Sequence, residues 1–426
     1  MNRRLSCLAI ALVAAVPFHA RATLGPFEHG TGIKGLAFGG VSYIGTDEST
    51  AISANPALAI GLGGRFDVGS NLLIVEGGTR ITGNAAGPDD FYPSNGKRLF
   101  PIPQFGVTVP LAPRWAFGAS AFAAGLGPDY PRSPYARFAQ TPEVAARSAT
   151  ALNSLKIAGI SLVLAHEIVK GQSIGLSANV QNQSLSTEGT APFAALSEAP
   201  EFIGNQGQHS AFGTSFTLGW TGTLTPWLSG ALSYRSKTWT QRIEQYRGLL
   251  PDQGRLELPV IFGGALQLTP AKDWRIAVEY QHFAYGDSHG FGNRIDLVFQ
   301  GRPLGSTNGP GFGWSDQNVY KLGVSHRIIP SLNLIAGFSY ATQVIPRSQT
   351  LFSGLAPATP KLHFTGGFTY ALNAVSEITG YATSTDRNIR HGQNSIPAAL
   401  GGGEADVRFR GISAGLSYGR RFGATR

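Results

Sequence analysis

The chain has 426 residues, with 56 glycines, 26 prolines, a single cysteine, only 14% charged residues and a formal net charge of +9. Its Lys and Arg are scattered singly, without a basic helix or an aromatic-spaced RNA motif, so no nucleic-acid partner is expected; one cysteine excludes a disulfide framework. No stretch beyond the first apolar run could form a transmembrane helix, and a mean hydropathy of −0.01 suits a chain whose apolar residues are diluted by alternation.

In chain order, Arg3 and Arg4 precede a short apolar run, Leu8 to Val16, and "HARA" ending at Ala22 offers a small-residue cleavage site. Residues 1–22 therefore read as a secretory signal, too short in its apolar part to span a bilayer. Cys7 lies ahead of that run, not after it, which argues against lipid anchoring. Loss of Arg3, Arg4 and Arg21 with the signal lowers the net charge to about +6.

Residues 23–63 follow a different logic. "GTDESTAISANPALAIGL", 45 to 62, places Asp47 and Glu48 before small polar residues, an Asn55-Pro56-Ala57 turn and an apolar tail, with no strand period and a weak helical one.

From residue 64 onward the pattern is strand-like. In "FGTSFTLGW", 212 to 220, Phe212, Phe216, Leu218 and Trp220 share one face and Gly213, Ser215, Thr217 and Gly219 the other. "WRIAVEY" (274 to 280) and "LNLIAGFSY" (332 to 340) repeat this, with aromatics near their ends. About fourteen such segments can be counted between 65 and 422, and the connections alternate: tight ones such as "LAPR", "IVKGQ" and "IIPSL", then long Gly- and Pro-rich ones such as 127–152, 187–210 and 286–317. Short turns on one side and long loops on the other characterise outer-membrane barrels. A soluble sandwich or propeller would also show many strands, but neither predicts this alternation. The expected fold is all-β, a transmembrane antiparallel β-barrel of about 14 strands over 64–426, in the outer membrane of a Gram-negative cell. Basic loops would then face lipopolysaccharide and outer-membrane lipid. A lumen of that width must hold a pore or a plug, and 23–63 supplies a candidate plug.

The stretch "GIKGLAFGGVSYIGTDESTAISANPALA", Gly32 to Ala59, resembles the N-terminal hatch of the FadL-type long-chain fatty acid transporter family: Gly35-Leu36-Ala37, then the paired acids Asp47 and Glu48, then Asn55, Pro56 and Ala57. "IPQFGVTVPLAPRWAFGASAF" (102 to 122) and "LSGALSYRSK" (228 to 237) are similar to later parts of the same family. The resemblance implies a monomeric channel for hydrophobic compounds, fatty acids or hydrocarbons, captured by extracellular loops and released sideways where the third strand kinks. Gly118, Gly125 and Gly127 are the corresponding lateral-gate candidates, with Pro128 and Pro131 just beyond. The apolar "APFAALSEAPEFIG" in the 187–210 loop is a candidate landing groove or a loop-packing element.

Period 2 turns Arg235 and Lys237 inward near the outer end of the seventh strand, where they could meet a ligand head group. Lumen ion pairs with Glu279, Asp47 or Glu48 are the alternative role. The scattered histidines form no metal or nucleophile motif, so neither catalysis nor a metal or cofactor is expected. A general diffusion porin is the competing function and would lack the plug.

Overall fold

The computed structural model describes residues 24–423. Fourteen long strands form one closed antiparallel barrel: β1 Arg65–Thr82, β2 Leu99–Ala112, β3 Trp115–Leu126, β4 Ala151–Val169, β5 Gln172–Glu188, β6 His209–Thr225, β7 Leu228–Arg235, β8 Ile261–Ala271, β9 Trp274–Phe283, β10 Gln317–Ile329, β11 Leu332–Ala341, β12 Leu362–Ala371, β13 Ser376–Thr385 and β14 Glu404–Arg421. Each pairs with its chain neighbours, and β1 closes on β14 from Arg65↔Arg421 to Thr82↔Glu404. Four shorter strands, at 90–93, 129–130, 239–240 and 388–390, lie in the long connections and extend the wall. The expected signal, 1–22, falls outside the described residues.

Alternation along each strand separates lipid from lumen. On β6, Phe212 and Leu218 are exposed while Ser215 and Thr217 are buried; on β9, Trp274, Val278 and Tyr280 face out while Ala277 and Glu279 face in. The tight turns fall at one end, where positive φ at Arg114 (68°) and Gly171 (79°) lets two strands reverse within two residues. Trp115 stacks on His166 and Trp274 on His326 beside these turns, at 4.2 and 4.0 Å between ring centroids. These rings belong to the periplasmic aromatic girdle. Among the described residues no helix is long and apolar enough to cross a membrane.

At the opposite end the long loops fold over the barrel and share an apolar core. Phe193 packs on Phe352 and Tyr135, with ring centroids 4.7 and 5.7 Å apart. The apolar loop 187–210 is thus a loop-packing element and not an open landing groove, because Phe193 and Ile203 are buried among other loops.

Candidate functional site

Residues 24–64 lie within the ring of strands and are buried for most of their length. The segment contains only short helical turns, so most of its backbone groups need partners from elsewhere. The wall supplies them. Glu279 on β9 accepts from the amides of Ser42 and Tyr43 at 2.8 and 2.7 Å. Lys321 on β10 pairs with Glu279 at 2.9 Å and donates to the Gly40 carbonyl at 2.8 Å. Asp67 on β1 accepts from Ser49 through both its amide and its hydroxyl. Ser120, Ser233 and Thr365 donate to the carbonyls of Thr50, Ala54 and Ala37.

The Asn-Pro-Ala turn has a wall of its own. Asn55 accepts from the Ala57 amide at 3.1 Å and donates to the carbonyls of Tyr43 and of Trp220 on β6. Pro56 begins a short 3-10 turn, where its missing N–H is no loss. The turn lies flat on the barrel because Gly175 on β5 and Gly219 on β6 face it; a Cβ on Gly175 would sit 2.5 Å from the Ala57 nitrogen, and one on Gly219 would overlap Asn55 Oδ1. Of the paired acids, Asp47 bridges to Arg275 on β9 at 2.7 Å, beside a cluster in which Glu377 on β13 holds both Lys34 and Arg65. Glu48 turns inward and accepts from the Gly35 amide; burial, with Asp67 nearby, pushes its carboxyl up to about 7.

Above this plug is a cavity of about 100 Å³. Its floor is plug residues, among them Glu28, Thr31 and Tyr43; its lower side is polar, with Gln104, Ser233, Arg235 and Gln281, and its upper side apolar, with Phe27, Ile102, Phe122 and Phe283. The apolar side continues upward into a cluster around Leu126, Leu155, Leu185, Tyr285 and Trp314, to which Phe27 and Phe122 belong. Several of the same leucines line a small apolar pocket of about 40 Å³ beneath the loops, with Leu256, Phe312 and Phe352.

The cavity reaches the wall between β2 and β3, where the ladder stops. The two strands pair from Ala112↔Trp115 up to Phe105↔Ala121, and no further pair follows, although each keeps its other neighbour. The cause is legible in backbone chemistry. Val75 on β1 donates to the Arg98 carbonyl, so Phe100, Ile102 and Gln104 exchange bonds with β1 and the residues between them turn their backbone to β3. Those residues are Pro101 and Pro103, which have no N–H to give. Extending the register sets Pro103 opposite Ala123 and Pro101 opposite Gly125, so both successive pairs lack a donor. Gly125 finds another partner, donating to the Pro26 carbonyl at 2.6 Å.

The three glycines expected at a lateral gate are thus divided by position. Gly125 lies at the gap. Gly118 lies in the paired part of β3, where a Cβ would come 2.5 Å from Ile52 of the plug, and Gly127 follows the end of the strand. The two prolines were not singled out in the sequence, yet "FPIPQF" carries the signal, since alternate prolines place both missing donors on one edge.

Arg235 and Lys237 also separate. Lys237 pairs with Glu257 at 3.1 Å, an acid other than the ones expected. Arg235 lines the cavity, stacks on Phe122 at 4.7 Å and has no acidic partner among the described residues. Its Nη2 is buried without a hydrogen bond.

A closed barrel with an apolar outer face, a polar-stitched plug and an apolar upper chamber defines an outer-membrane transport protein. The profile of the outer membrane protein transport family (OMPP1/FadL/TodX) matches residues 12–422, and the chain belongs to that family. Its fold is similar to that of the P. putida toluene transporter TodX (18% identity, 93% of this chain and all of that one, TM-score 0.69). It is also similar to the Ralstonia pickettii toluene transporter TbuX (17%, 93% and 99%, TM-score 0.64) and a Pseudomonas aeruginosa FadL homologue (14%, 96% and all, TM-score 0.65). Comparison with curated protein sequences gives no match. The family is one of transport channels and not of enzymes.

Proposed function

We propose that this protein takes up hydrophobic compounds, fatty acids or hydrocarbons, by accepting them beneath the extracellular loops and releasing them sideways between β2 and β3. The observation that carries this reading is the cavity whose wall is the unpaired stretch of those two strands. Sideways exit also follows from cost. An apolar molecule gains nothing by entering water, and a straight route would have to break the buried Glu279–Lys321 pair and the plug's other wall bonds. In this reading Asp47, Glu48, Asn55, Pro56 and Ala57 seat the plug, Gly125 and the prolines keep the exit unpaired, and Arg235 meets the carboxylate of acidic cargo. The toluene transporters and the FadL homologue among the neighbours support a hydrophobic cargo.

Restoring the missing donors tests the exit. Pro101→Val with Pro103→Val should let the ladder zip shut, seen as slowed amide exchange at 101–105, and hydrocarbon uptake into proteoliposomes should fall severalfold. Unchanged uptake through a zipped wall would overturn lateral release. A general diffusion porin predicts large single-channel conductance in the unmodified protein; the plugged barrel predicts little. Arg235→Ala should weaken fatty-acid binding and spare neutral hydrocarbon, and equal loss of both would remove its head-group role.

A further inference from the structure

The outer wall is chemically uneven above its apolar belt. On β9 to β12 the last outward side chains before the loops include Tyr280, Tyr320, Tyr340 and Phe364. Along the closing seam of β14 and β1 the pattern changes. Ile74 and Ile412, paired and exposed, end the apolar face, and above them come Glu76 opposite Arg410, Gly78 opposite Arg408 and Arg80 opposite Asp406. Arg387, from the loop after β13, reaches Glu76 at 3.3 Å.

Height places this group at the outer membrane surface. Glu76 lies ten residues along β1 from Phe66, which packs against Tyr418 and Phe422 at the periplasmic end. At about 2.5 Å of height per residue for a strand tilted by about 40°, the two are separated by roughly the 25 Å of the apolar band.

Arg80 and Arg408 are held in place without an ion pair, whereas Arg387 pairs with Glu76. The ring of Phe91 lies over Gly78, where a Cβ would come within 2.6 Å of it. On that ring sit the guanidinium of Arg408, 3.8 Å from its centroid, and that of Arg80, at 5.7 Å. Phe91 is itself fixed by the short strand Asp90–Pro93 paired to β1. Neighbouring acids are occupied elsewhere. Asp406 accepts from His391 and the Gly392 amide, and Glu404 from Asn394 and Ser395. Among the described residues Arg80, Arg408 and Arg410 make no ion pair.

We infer that this face, Arg80, Arg387, Arg408 and Arg410 over Ile74 and Ile412, is a docking site for lipopolysaccharide of the outer leaflet. Guanidinium forks suit phosphate bidentately, stacking on Phe91 pre-orders two of them, and the isoleucine face directly below continues as a track for acyl chains. Charge and apolar continuity together fit a phosphorylated, multiply acylated head better than a soluble anion.

Native mass spectrometry of the full barrel in detergent, with added lipid A carrying two phosphates, its dephosphorylated form, or phosphatidylglycerol, tests the assignment. The bisphosphorylated lipid should be retained and the other two not. Arg408→Gln with Arg410→Gln should lower retention about tenfold or more, since each charged hydrogen bond lost is worth a factor of that order. Phe91→Leu, which keeps every charge, should lower it about threefold. Arg420→Gln, at the periplasmic end of the same strand, should leave it unchanged. Equal retention by the double variant, or retention of phosphatidylglycerol or dephosphorylated lipid A as strong as that of the bisphosphorylated form, would overturn the proposal. Heat-modifiable gel migration shows that each variant is a folded barrel, and Phe91→Leu carries the test if the double variant is not.

Discussion

The lower and upper halves of the lumen are held by different forces. Below, directed polar bonds, such as Glu279 to the Ser42 and Tyr43 amides and Asp67 to Ser49, are added to apolar contacts of Phe38, Ile44 and Ile52 with the wall. Above, loops and strand tips meet mainly through apolar and aromatic side chains around Trp314, Tyr285 and Phe352, with fewer directed bonds such as that of the Tyr285 hydroxyl to the Leu24 carbonyl. Directed bonds fix one geometry, whereas apolar contacts can be exchanged for contact with another apolar surface. The β2–β3 gap lies between the two, and its edge is unpaired for want of two donors.

This contrast can be broken most forcefully at Lys321. Lys321→Ala leaves Glu279 buried without its counter-charge, at a cost of about 3–5 kcal/mol. Amide protection at 40–43 should collapse and single-channel conductance should rise, while fluorescence of the Trp314 cluster stays as it was. Replacing the pair together, Glu279→Gln with Lys321→Met, should recover much of the loss. If Lys321→Ala leaves the amides protected, the seal does not depend on the pair.

A smaller effect is expected from packing. Gly219→Ala pushes a methyl group into Asn55, and overpacking of this kind costs about 1–3 kcal/mol. The resulting fall in melting temperature should be suppressed when Asn55→Ala is combined with it, because the two changes act at one contact.

The mildest test is pH. Burial pushes the plug carboxyls Glu28 and Glu48 up to about 7 from the usual 4.5. The folded state therefore holds protons that the unfolded chain has released, so stability falls as pH rises from 4.5 through 7 and stays at the lower level above. The melting temperature should be higher at pH 5.5 than at pH 8, and Glu48→Gln should flatten part of that slope. A slope of opposite sign would mean that these acids are seated as carboxylates.

Much of the architecture was legible because a barrel strand obeys one rule along its whole length. The "FGTSFTLGW" and "WRIAVEY" alternations became outward Phe212, Leu218, Trp274 and Val278 as expected, and the count of fourteen strand-like segments agreed with the alternation of tight turns and long loops. The plug was visible as a loss of that rule. Partnership was not, since Glu279 and Lys321, or Lys237 and Glu257, become neighbours only when strands acquire register. The unpaired stretch between β2 and β3 was harder still: glycines drew attention to the third strand, whereas the missing donors belong to Pro101 and Pro103 on the second. The alternate prolines of "FPIPQF" put both missing donors on one edge, but which neighbouring strand that edge faces follows only from the β1–β2 hydrogen-bond phase.

The β1–β14 seam has a bearing on biogenesis. The strands that close the ring join residues as distant as Arg65 and Arg421, so this pairing has the largest loop-closure entropy of any in the wall and is expected to form last. Lys34 of the plug and Arg65 of β1 both bind Glu377 of β13, one strand short of that seam. A chain still open there already holds the acid that both cations require, and their arrival would draw the two ends of the growing wall together. The ion cluster under the plug thereby ties the N-terminal segment and the first strand to the penultimate one, across the line where the ring closes.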